Sequence, residues 1–143
     1  MSDLSYFESK TGKLTCSVEE VFNFVTDIRN FERFIPEGKI NDWQSERDSC
    51  SFRVPMLGTV NIELVEKEMY KKVVFNGNAL KNNDFSLELV ILKSDDDTAE
   101  VKVLLSADVN PALKMMASKP ISQFLEKLIN EMERFNDWKN IRV

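Results

Sequence analysis

The chain has 143 residues, with 19 Lys and Arg against 24 Asp and Glu and a formal charge of -5 at pH 7. That length suits one domain, residues 1–143, and the acidic balance opposes a general grip on a phosphate backbone, so nucleic acid is not an expected partner. Histidine is absent, which removes the commonest general base and the nitrogen ligand of most zinc sites.

Cys16 and Cys50 are far apart and lack Cys-x-x-Cys spacing, so both read as small buried apolar residues. No metal, cofactor or disulfide is expected. The N-terminal residues lack a charged start followed by an apolar core, and no apolar run approaches the roughly 20 residues of a membrane span. The expectation is a cytoplasmic chain without an integral membrane segment.

In chain order, residues 4–15 have the Thr-containing, aromatic composition of an opening strand, weakened at Gly12. Ser17-Val18-Glu19-Glu20 then matches a capping box, which predicts a helix starting at Val18. Val18, Val21, Phe22, Val25 and Ile28 form its apolar face. Asp27 caps a second short helix through Asn30, Phe31 and Phe34, ended by Pro36 and Gly38. Phe22, Phe24, Phe31 and Phe34 are read as core rather than as a ligand mouth.

Over residues 39–109 the hydrophobic period changes from helical to alternating, and short turn clusters divide the stretch into a meander of strands. Residues 39–44 form one strand. Cys50, Phe52 and Val54 share a face, then Val60, Ile62 and Leu64, with Pro55-Met56-Leu57-Gly58 as the connection. Residues 73–80 make another strand, Asn82-Asn83-Asp84 a turn, and Phe85, Leu87, Leu89 and Ile91 the next apolar face. Asp95-Asp96-Asp97 reads as a solvated turn because the glycine and distal glutamate of a calcium loop are missing. The last strand presents Val101, Val103, Leu105, Ala107 and Val109 on one side.

Asn110-Pro111 supplies a cap and a tolerated first-turn proline for a helix over residues 110–135. Ile121, Phe124, Leu125, Leu128, Ile129, Met132 and Phe135 recur at three-and-four spacing and form the stripe predicted to be buried. Pro120 predicts either a fresh start after Ser118 or a bend near Lys119. Residues 110–119, with Met115 and Met116, become the candidate lid.

These signals predict an α+β helix-grip fold. A curved antiparallel sheet wraps a long C-terminal helix, and two short helices follow the first strand. The order of elements, and above all Ser17-Val18-Glu19-Glu20-Val21-Phe22-Asn23-Phe24-Val25-Thr26-Asp27 with the long last helix, resembles the START-like (SRPBCC) superfamily of polyketide cyclases/dehydrases and lipid-transport proteins. The resemblance spans residues 7–135 and implies a cavity between sheet and last helix that takes apolar ligands.

Position on the alternating faces and the helix stripe selects Phe52, Val60, Ile62, Phe75, Leu87, Leu89, Val103, Leu105, Ile121, Phe124 and Leu128 as lining residues. Trp43, between Asp42 and Gln44, is added as an aromatic that can pack over a ligand, and Met116 as an adaptable thioether. The leading reading is therefore binding of a small hydrophobic or amphipathic molecule, without catalysis. The enzymatic alternative, a cyclase or dehydratase of the same superfamily, would use Asp42, Tyr6 or Tyr70 for proton transfer. A third reading is an interaction domain with no usable cavity, or a homodimer, for which the Trp138 tail is the sequence hint. Glu63, Glu66 and Glu68, interleaved with lysines, read as a charged edge, and Asn76 and Asn78 as solvent-facing amides.

Overall fold

The computed structural model describes residues 4–34, 40–54, 58–79, 83–95, 97–108, 111–136 and 138. Within them run β1 (Leu4–Glu8), β2 (Gly12–Leu14), α1 (Val18–Val25), a 3-10 helix (Ile28–Phe34), β3 (Asn41–Ser45), β4 (Ser49–Val54), β5 (Gly58–Glu68), β6 (Lys72–Ala79), β7 (Asn83–Ser94), β8 (Ala99–Asp108) and α2 (Pro111–Arg134). Every strand pairing is antiparallel. The eight-stranded sheet has the order β1-β8-β7-β6-β5-β4-β3, with β2 also on β8. Among the described residues, no helix is long and apolar enough to cross a membrane.

The opening strand divides in two. Ser9 interrupts it: its Oγ accepts from the Val103 N–H at 2.9 Å and donates to the Lys10 carbonyl at 2.8 Å. Gly12 then permits α2 to cross β2, since a Cβ there would lie 2.8 Å from Ile129 Cγ2. Glu133, near the end of α2, accepts from the Lys13 N–H at 2.9 Å and meets Lys10 Nζ at 3.2 Å. These contacts hold its carboxyl below the usual range, the Lys13 N–H contributing most.

The helical insertion starts as its sequence dictates. Ser17 Oγ accepts from the Glu20 N–H at 3.2 Å and the Glu20 carboxylate from the Ser17 N–H at 2.9 Å, completing the capping box. The second helix has 3-10 geometry and is tied down by the Ile28 N–H on the Arg47 carbonyl at 2.8 Å. Asp27, 1% exposed, accepts from the Arg29 N–H at 3.1 Å and from its guanidinium at 2.9 and 2.6 Å.

The Arg29 hydrogen bonds push the Asp27 carboxyl below its ordinary 3.8. A depressed acid contributes stability above its unfolded value and loses it as pH falls through the folded one. Asp27→Asn should therefore lower stability at pH 7 and flatten the acid limb below about pH 4, read by urea titrations from pH 7 to pH 2. Parallel acid limbs for variant and wild type would count against this role.

Three register shifts bend the sheet. In β5 and β7 the extra residues are Val65 and Leu92, and these are the apolar side chains left 48% and 53% exposed. The turn predicted over residues 82–84 is displaced, because Asn83 and Asp84 already pair with Ala79 and Asn78. Pro36, Gly38, Pro55, Met56, Leu57, Leu80, Asn82, Asp96, Val109 and Asn110 lie outside the described residues.

The helix α2 continues through Pro120. A proline removes the N–H that would bond the Met116 carbonyl, and Ser118 Oγ bonds the Lys114 carbonyl at 2.6 Å in the same turn. Of the predicted stripe, Leu125, Ile129 and Met132 are fully buried and Ile121, Leu128 and Phe135 partly so. Phe124 departs from that expectation at 39% exposed. At 100° per residue it sits on the flank of an arc centred between Leu125 and Leu128. The four insertion phenylalanines are core, and Trp138 joins them at 3% exposed, its Nε1 donating to the Phe135 carbonyl at 3.0 Å. Trp138, the sequence hint of an association surface, is thus buried in the aromatic cluster of its own chain.

Candidate functional site

Val101 and Ile129 both approach Gly12, so the face of β8 bearing Val101, Val103 and Leu105 is the one turned to α2. Register carries that face across the sheet, pairing Leu105 with Leu87, Leu87 with Phe75, and Val103 with Leu89. Phe52 pairs with Val60, and Ile62 lies opposite Cys50. The predicted lining residues on strands thus share one interior apolar surface.

Burial grades along it. Val73, Val101 and Ile129 are completely covered, whereas Phe52, Val60, Phe75, Leu87 and Leu105 retain 6–8% exposure, and Ile62 and Phe85 retain more. The less sealed end lies toward the last residues of β8, where α2 begins only three positions after Asp108. Ile121 and Leu128 reach the core from α2. Met116, 71% exposed, and Phe124 are not brought inside, and Met115 beside them is 84% exposed.

Trp43 stands at the edge of this surface because β3 carries a bulge. Between Asn41, opposite Arg53, and Gln44, opposite Ser51, it has one residue more than β4, so Asp42 and Trp43 together face Phe52. Asp42 absorbs the kink with φ 56°, a left-handed conformation that Asp tolerates better than most side chains. Its exposed carboxylate lies 3.9 Å from Arg53 Nη1. The Trp43 ring packs on the core and stacks on Phe52 with centroids 5.7 Å apart and planes at 26°. Its Nε1 is buried without a hydrogen-bond partner, the only such side-chain atom among the described residues. The sequence indicated Trp43 but not the bulge that aims it.

The proton-transfer candidates do not converge. Tyr6 is 74% exposed on β1, Asp42 is on β3 at the opposite end of the strand order, and Tyr70 packs edge-on against Phe22 at 5.4 Å in the β5–β6 turn. Burial pushes both cysteine thiols up to about 12, with Glu20 adding to the effect at Cys16, so neither is a ready nucleophile. Glu68 pairs with exposed Lys71 in the β5–β6 turn, and half-buried Glu88 pairs with Lys72 across β7 and β6.

The other face of the sheet carries an open groove of about 890 Å³. Its walls include Ser51, Asn61, Asn76, Asn78, Ser86 and Ser106, with Asn61 Nδ2 donating to Asn78 Oδ1 at 3.0 Å. Asn76 and Asn78 were its sequence signal; the flanking residues come from β4, β5, β7 and β8 through strand register.

The family model for CoxG of carbon monoxide dehydrogenase matches residues 12–137. No curated protein matches by sequence. Among solved structures, norcoclaurine synthase from Thalictrum flavum superposes with a TM-score of 0.73 at 7% identity, over 93% of this chain and 86% of that one. The same enzyme in complex with dopamine and hydroxybenzaldehyde gives 0.66 at 6% identity, over 95% and 90%. A START superfamily protein from Mycobacterium smegmatis gives 0.63 at 13% identity, over 92% and 99%. The fold is START-like, of SRPBCC type.

Proposed function

Because the chain belongs to the carbon monoxide dehydrogenase CoxG family, we propose that it binds a small hydrophobic or amphipathic molecule between the interior face of the sheet and the N-terminal half of α2. The observation that carries this reading is the grading of burial: the apolar surface is closed under Ile129 but still reached by solvent at Phe52, Val60, Phe75, Leu87 and Leu105. Concave, mostly apolar surfaces with few polar groups are the usual form of small-molecule sites. The dopamine and hydroxybenzaldehyde in the norcoclaurine synthase complex set a precedent for small aromatic molecules on this fold.

Entry is assigned to residues 111–119. Glu133 secures the far end of α2 to the Lys10–Lys13 corner, while the near end presents Met115 and Met116 to solvent and lacks one helical hydrogen bond at Pro120. Native mass spectrometry of the purified protein, followed by solvent extraction, should show an apolar adduct at one per chain. Amide exchange should be faster over residues 112–119 than over 124–132 and slow in the first segment when the extracted molecule is returned. A protein that carries no adduct and leaves the fluorescence of 1-anilinonaphthalene-8-sulfonate unchanged would sink the reading.

A further inference from the structure

We infer that Trp43 is a specificity-determining residue of this site, its indole N–H selecting ligands whose apolar body carries a neutral hydrogen-bond-accepting oxygen; the inference rests on the apolar-site reading above and names the ligand class. Buried side-chain N–H groups are almost always paired, and one left unpaired marks a place where an acceptor is missing. Here that atom is Trp43 Nε1. An indole nitrogen only donates, so a hydrocarbon or a second donor does not satisfy it, while a carbonyl, ether or hydroxyl oxygen does.

Two features hold the donor in place. The Phe52 ring stacks against the indole, and the Asp42 bulge fixes the backbone from which it projects. The adjacent charges, Asp42 and Arg53, are exposed and face each other at 3.9 Å, which leaves apolar contacts with Phe52 and the core around the indole. That setting favours a neutral oxygen over a carboxylate, whose charge is costly to bury without a partner.

The test uses two probes of the same shape, 2-acetylnaphthalene and 2-ethylnaphthalene, with the full-length protein labelled with nitrogen-15. The chain has two tryptophans. Trp138 Nε1 already bonds the Phe135 carbonyl at 3.0 Å and serves as an internal reference. The ketone should bind about tenfold more tightly than the hydrocarbon, the advantage of pairing a buried donor that is otherwise unsatisfied. Only the ketone should move the Trp43 indole cross-peak downfield, with the Trp138 cross-peak unmoved. Trp43→Phe, which keeps an aromatic ring but removes the donor, should bring the ratio of the two affinities to about unity.

Equal affinities with an unmoved Trp43 cross-peak overturn the inference and leave the apolar site standing. Failure of both probes to bind overturns both. Should Trp43→Phe not fold, the wild-type cross-peaks and affinities decide the question alone.

Discussion

Phe24→Ala should lower the unfolding free energy by about 3–5 kcal/mol, in the range for a large aromatic truncated in a packed core. Phe24 has no exposed surface and touches four aromatic rings: Phe31 at 5.5 Å, Phe34 at 5.2 Å, Phe135 at 5.4 Å and Trp138 at 5.0 Å between centroids. Those rings come from the 3-10 helix and from the chain at and beyond the end of α2. Removing the central ring leaves a cavity bordered by two separate segments, neither of which can close it without moving the other. A urea transition shifted to a much lower midpoint with unchanged slope is the expected result. A loss below about 1 kcal/mol would show that the cluster repacks and that Phe24 is not its centre.

The second large effect separates two neighbours. Leu125→Ala should cost about 2–5 kcal/mol and Phe124→Ala less than about 1 kcal/mol, although the phenylalanine is the larger side chain. Leu125 is 1% exposed and Phe124 39%, a contrast set by one helical step of 100°. If the costs are comparable, the helix is rotated from the orientation described.

What the sequence disclosed follows the range of the interactions involved. Ser17 and Glu20 lie three residues apart and form their cap from local geometry alone, so the start of α1 was readable to the residue. Alternation through Leu87, Leu89, Val103 and Leu105 marked the interior face because each strand has period two. Alternation was blind to the extra residues at Val65, Leu92 and Asp42–Trp43, since a bulge is defined by the partner strand. Likewise the seven-residue stripe of α2 is wider than the surface beneath it, and only tertiary packing decides that Phe124 is the one left outside. Trp138 looked like an isolated apolar residue in a polar tail because its aromatic partners include Phe24, more than a hundred positions earlier. The interior residues of the candidate site were thus legible as a face, while the donor that gives the face a direction depended on a kink.

The hydrogen bond from the Lys13 N–H to Glu133 also bears on self-association. An open sheet has edges, and an unpaired N–H on an edge strand is a template for adding a strand from another molecule. At β2 the outward N–H of Lys13 is already taken by a carboxylate, with Lys10 beside it, so an incoming strand would have to displace a charged group and uncouple the end of α2. The bulge in β3 twists the opposite edge away from the flat geometry that strand addition requires. The same carboxylate that anchors the helix therefore occupies the outward N–H of β2, and that N–H in turn holds the carboxyl below its ordinary value.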